Sequence, residues 1–270
     1  MRTRFHHMLD SALAVPGIRD LRMQRFDADF SRGNYNGTCR GVYHSYAEAA
    51  AAAPTTLLLG YDHAGPAGMY RDRIERVSPG DYPMMLWLQK AFAAGVTRVV
   101  DLGGHVGVSY YAYQKYLDYP DGLRWQVFDV PAVAAAGCEI ALERDPSGHL
   151  SFIDSFAPAA QADLLFTSGC VQYLEQTLAE KLAALPRQPE WLLVNLLPLH
   201  DSLAYWTVQS IGKAFCPCRI QHKASFFSAL EQLGYQVLDV WTNAEKQCEI
   251  AFAPEHSLNG YVGAALRKTG

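Results

Sequence analysis

Apolar positions recur along this chain with two alternating periods. Residues 84, 85, 88, 91 and 92 form a stripe at helical spacing that Gly95 ends, and a short apolar run follows at 98–102. Helical spacing returns at 106, 110, 113 and 117. Residues 123–129, 150–153, 163–167 and 190–197 read as further short strands, with a helix marked by Leu174, Leu178, Leu182 and Leu185 between the last two. Pro131 suits the first turn of another helix, where its missing N–H costs nothing. Such alternation predicts an α/β fold, a doubly wound and mostly parallel sheet. The final third departs from it. Helix 223–233, closed by Gly234, precedes strands at 235–242 and 261–267, and two consecutive strands predict an antiparallel pair. Residues 1–80 read as irregular, punctuated by glycine and proline, with one alanine-rich helix at 47–53. The expected organisation is an N-terminal extension, 1–95, that helps close the site, and a sheet domain, 96–270. Helix 84–94 is expected beneath the first strand.

Composition narrows the partners. With 270 residues, half of them hydrophobic, one large domain with an extension can bury a sizeable core. A net charge of −4 and the lack of a long Lys/Arg run argue against nucleic-acid binding. Six scattered cysteines fit reduced thiols in the cytoplasm. The apolar run at 9–15 is broken by Asp10 and too short for a signal core, and no stretch is long enough to span a membrane. A homodimer is left open. Cys216-Pro-Cys218 with His222 lacks the Cys-x-x-Cys spacing and a fourth ligand, so no metal is expected.

The chemistry concentrates where the strand at 98–102 runs into Asp-Leu-Gly-Gly-His-Val-Gly at 101–107. Gly103, Gly104 and Gly107 allow a tight turn and close approach of a ligand to the backbone. Asp101 would sit where a dinucleotide's pyrophosphate rests; it repels that group and attracts the ammonium of S-adenosylmethionine. A dinucleotide fingerprint would also need glycine where Leu102 stands. Asp129, 22 positions beyond Gly107 and beside Val130, suits the two ribose hydroxyls, although a helix N-cap would look the same locally. Asp154 and Ser155 suit the adenine or a plain turn. Ser168 and Gly169 end a strand at the ligand edge, or simply make a strand-to-helix turn. For removing a proton, His200 is the first candidate, with Asp201 beside it, followed by His105 and Tyr173; a solvated loop or packing role is the alternative for each. Arg71, Arg73 and Arg76 form a solvated face or an anion site, and the tyrosines of 110–116 with Tyr205 and Trp206 form core or an acceptor pocket.

The 101–107 stretch resembles motif I of the class I S-adenosylmethionine-dependent methyltransferases, with His105 in place of the middle glycine. Within that superfamily the chain resembles a group of methyltransferases from bacterial polysaccharide and natural-product gene clusters. The matching segments are 41–49, Gly60-Tyr-Asp62, Asp81-Tyr-Pro83, the glycine loop, 125–131, 168–173 and Leu233-Gly-Tyr235. The resemblance implies a Rossmann-like class I methyltransferase fold, S-adenosylmethionine as cofactor, and a small-molecule or sugar acceptor methylated at oxygen rather than nitrogen. The alternatives are an NAD-type oxidoreductase and a non-catalytic partner protein that binds the methyl donor.

Overall fold

Runs of Val, Leu and Phe without polar alternation suit strands covered on both faces, and the strands that carry them here sit in the middle of one sheet. The computed structural model describes residues 16–63 and 71–269. Five parallel strands form its centre: β2 (Arg98–Leu102), β3 (Arg124–Phe128), β4 (Leu150–Ile153), β5 (Leu164–Ser168) and β6 (Trp191–Leu197). With β10 (Tyr235–Asn243) and β11 (Tyr261–Lys268) they make a seven-stranded sheet in the order β10-β11-β6-β5-β2-β3-β4. β11 is antiparallel to both its neighbours, as the late pair of strands predicts.

Helices cover both faces. α3 (Tyr82–Ala93), α4 (Val108–Tyr113) and α5 (Pro131–Arg144) close one core, which includes Leu88, Tyr110, Trp125 and Phe166. α6 (Leu178–Ala183) and α7 (Lys223–Gln232) close the other through Leu178, Leu182, Phe226 and Leu230. α3 lies chiefly against β6 rather than beneath β2. The strand order reverses between β2 and β5, so a crevice opens at their carboxyl ends.

A second sheet, which periodicity does not predict, stands over that crevice. β1 (Cys39–Tyr43), β7 (Leu199–His200), β8 (Tyr205–Ser210) and β9 (Phe215–His222) pair in the order β1-β8-β9-β7. β9 tolerates Pro217 because β7 pairs only with Gln221 and His222, leaving that edge of the strand open at 217. The stretch that reads as irregular also contains α1 (Pro16–Ser31), a largely exposed helix whose Phe30 is buried and stacks near Phe26 and Phe215. Its sparse apolar positions hide it from a periodicity search. α2 (Tyr46–Ala52) matches the alanine-rich helix. The described part of 1–95 joins the rest closely: β1 pairs with β8, and Trp87 Nε1 donates to Asp239 Oδ2 at 2.8 Å. The readings of 9–15, of Gly65, Pro66 and Gly68, and of the Arg71 side chain lie outside the described residues. Among those described, no helix is long and apolar enough to cross a membrane.

Candidate active site

Asp101, which is 1% exposed, is the penultimate residue of β2, and the chain turns through 103–107 to start α4. Gly103 turns with φ 73°, and a Cβ there would fall 2.3 Å from Cys170 Sγ. At Gly104 a Cβ would fall 2.3 Å from Asp101 Oδ2, so both glycines keep the loop closed on its neighbours. His105 has φ 55°, a left-handed conformation that explains why glycine is usual at this place in the motif. Gly107, with φ 87°, precedes α4 but does not face the crevice.

Asp101 Oδ2 accepts from Trp125 Nε1 at 3.1 Å, while its Oδ1 is buried without a partner. Burial pushes its pKa up to about 8, against the smaller opposing effect of the Trp125 bond. Asp129 stands at the end of the adjacent strand. Its Oδ2 accepts from His105 N and its Oδ1 from Val130 N, each at 2.8 Å. Burial raises its pKa as well, and those two backbone bonds offset part of the effect. The N-cap of α5 is Val130, and Asp62 accepts from Ala132 N at 3.0 Å, so Asp129 does not cap the helix.

These groups open into a cavity of about 420 Å³ between the carboxyl edge of the large sheet and the small sheet. The structure brings Asp101, Gly103, Gly104, His105, Asp129 and Val130 to its wall, together with Ser168, Gly169 and Tyr173. Asp154 and Ser155 are exposed beyond β4 and do not reach it. His200 does not reach it either, which corrects its placement in a loop at the ligand edge. The chain leaving β6 enters the small sheet, where His200 Nδ1 accepts from Ser202 N at 3.1 Å and Leu203 N at 3.0 Å, and Nε2 bonds to Glu255 O at 3.1 Å. Tyr173 lies on the wall, but its hydroxyl donates to Gln209 Oε1 at 2.6 Å, and burial holds its pKa well above the usual tyrosine value. It is a poor proton acceptor.

Other wall residues escape a motif search because they come from loops far apart in sequence. Tyr61, Asp62 and Asp81 fall within the resemblance segments Gly60-Tyr-Asp62 and Asp81-Tyr-Pro83, which was the available signal. Asp81 is brought in because Asn195 of β6 holds its loop, donating to Gly80 O at 3.0 Å. Gln172 falls within the resemblance segment 168–173, Cys216 and Pro217 stood out only in a motif set aside as a metal site, and Leu196 and Lys246 carried no signal. Arg73 and Arg76 also face the cavity, beside α4.

No protein-family model matches the chain, and a search of curated proteins returns no match. Similar solved structures include the [4+2]-cyclase SpnF, with 14% identity over 87% of this chain and 99% of that one and a TM-score of 0.52. They also include the mitomycin 7-O-methyltransferase MmcR, at 17% identity over 69% of this chain and a TM-score of 0.41, of which this chain spans only 54%. An S-adenosylmethionine-dependent methyltransferase from Mesorhizobium loti is similar at 13% identity over 71% of this chain and 99% of that one, with a TM-score of 0.47. The likeness to SpnF, with the sheet order above, establishes a Rossmann-like α/β fold.

Proposed function

We propose that this protein is an S-adenosylmethionine-dependent methyltransferase acting on a small molecule, at oxygen rather than nitrogen. One observation carries the reading: a buried carboxylate, Asp101, and a half-buried one, Asp129, stand at the ends of adjacent parallel strands on one cavity wall, and a glycine loop folds between them. The unpartnered Asp101 Oδ1 fits a cationic N–H donor, and Asp129 keeps an oriented lone pair on each oxygen for a pair of vicinal hydroxyls. A dinucleotide fingerprint would need glycine where Leu102 stands, which disfavours the NAD reading. Arg73 and Arg76 suit the donor's carboxylate.

When bound, S-adenosylmethionine supplies a methyl group on a sulfonium centre, open to in-line displacement. Because positioning dominates such a reaction, the chain's work is to hold and exclude. Asp129 is locked by two backbone N–H groups, and the glycines let the loop lie against the ligand. The small sheet roofs the cavity and limits water. Of the histidines considered as proton acceptors, His105 is the one on the wall, so proton removal from the acceptor is assigned to it. A cytoplasmic role in polysaccharide or natural-product assembly belongs to the same proposal, the compartment resting on the scattered cysteines and the assembly on the sequence resemblance.

The test is thermal denaturation with S-adenosylhomocysteine or NAD, followed by transfer of labelled methyl to candidate acceptors. A ligand at 100 times its Kd adds about 2.7 kcal/mol, a rise of roughly 5 to 10 °C for a chain near this size. A rise with NAD alone would replace this reading by the oxidoreductase, and donor binding without transfer to any acceptor would favour the non-catalytic partner.

A further inference from the structure

The half of the cavity away from the glycine loop has a different character. Its wall is made by Tyr46, Tyr61, Tyr173, Leu174, Leu196 and Pro217, mostly flat or aliphatic surface. The Tyr61 and Tyr173 rings meet at 5.3 Å and 56°, and the bond to Gln209 fixes Tyr173 in place. A polyhydroxylated ligand would need several free polar groups here, since an unmatched hydroxyl in a closed site loses its water without compensation. The nearby carboxylates are already partly engaged, each through one oxygen. Asp62 is bound to Ala132 N, and Asp81 to both Ser78 N and Ser78 Oγ at 2.8 Å.

Two polar features of the cavity wall, Gln172 and Lys246, bear on the acceptor. Gln172 is 3% exposed, and its Oε1 has no partner, leaving a buried carbonyl that calls for an O–H or N–H donor. Lys246 makes no ion pair among the described residues. Its charge acts on Cys39 and Cys218 of the small sheet and on the adjoining Cys248, which puts its ammonium on the small-sheet side.

We infer that the acceptor is a flat aromatic compound bearing a hydroxyl and a negative charge, of the hydroxyaryl carboxylate class. Its ring lies on the Tyr61–Tyr173 surface, its hydroxyl donates to Gln172 Oε1, and its anion faces Lys246. This rests on the methyl-donor reading.

The experiment is calorimetric titration of the full chain, saturated with S-adenosylhomocysteine, with 3,4-dihydroxybenzoate, catechol, benzoate and methyl glucoside. The expected result is that 3,4-dihydroxybenzoate binds at least about tenfold more tightly than catechol or benzoate, the gain of one charge-assisted hydrogen bond. Lys246→Met should erase the margin over catechol without weakening catechol itself. Gln172→Leu should erase the margin over benzoate; if that variant does not fold, the exposed Lys246→Met still decides the question. Tighter binding of the glucoside, no binding of any aromatic probe, or an unchanged margin in Lys246→Met would overturn the inference. Failure of S-adenosylhomocysteine to bind in the first place would instead bring down the methyl-donor reading.

Discussion

Asp101→Asn should stabilise the unliganded protein at neutral pH while weakening its hold on the donor. The Asp101 carboxyl is fully buried, receives one hydrogen bond and titrates at about 8, against 3.8 for an ordinary aspartate. A raised folded-state pKa means that the stability is intact below about pH 4 and is lost as pH climbs toward 8. Each unit is worth about 1.4 kcal/mol, so the full effect is at most on the order of 5 kcal/mol, and roughly 3 kcal/mol falls between pH 5 and pH 7. Asp145, Asp163 and Glu180 are shifted downward and stay ionised through that window. Urea denaturation of parent and variant at pH 5, 6 and 7 should therefore show a gap that widens by about 1.4 kcal/mol per unit in favour of Asn. At pH 7 roughly nine in ten parent molecules carry the proton, and a cationic ligand should expel it. Calorimetry of S-adenosylhomocysteine in buffers of different ionisation enthalpy should then detect nearly one proton released by the parent and none by the variant. A gap that does not change with pH, together with buffer-independent heats, would refute the argument.

Three further outcomes follow from the same geometry. Asp129→Ala should lower S-adenosylhomocysteine affinity about ten- to a hundredfold, since a charged acceptor of hydrogen bonds is worth roughly 1.5 to 3 kcal/mol, and calorimetric titration checks this. Gly103→Ala, with φ 73° and a Cβ 2.3 Å from Cys170, should cost about 2 to 4 kcal/mol in urea denaturation, whereas Gly122→Ala, with φ 74° and open space around it, should cost only about 1 to 2. His200→Ala should leave methyl transfer and its pH profile unchanged and cost about 1 to 2 kcal/mol of stability, because Ser202 N and Leu203 N lose their acceptor; a loss of a hundredfold or more in turnover would return it to the chemistry.

The large sheet was legible because its signals are local. β2, β5 and β6 each carry a short apolar run, and the glycine loop with Asp101 and Asp129 lies within one strand-helix-strand unit. The small sheet was not. β8 is buried along its whole length, β9 contains Pro217, and the partner β1 comes from far upstream, so no short window shows alternation, and the Gly212-Lys213 turn that joins β8 to β9 was a local hairpin signal passed over. The error over His200 has the same origin: strand order places the end of β6 at the ligand edge, but whether the next residues stay there depends on pairing with β9. Asp154 and Ser155 were misplaced because β4 is a four-residue edge strand that ends in solvent. Lys246 needed the folded cavity to be seen at all, and Gln172 was visible only as a member of the 168–173 resemblance segment.

The most direct test of the account is a crystal structure of the protein with S-adenosylhomocysteine. The account predicts the nucleoside in the cavity at the carboxyl ends of β2 and β3, with both ribose hydroxyls on the Asp129 carboxylate and the ammonium toward Asp101 Oδ1. A nucleoside bound elsewhere, or one whose ribose makes no contact with Asp129, would contradict it.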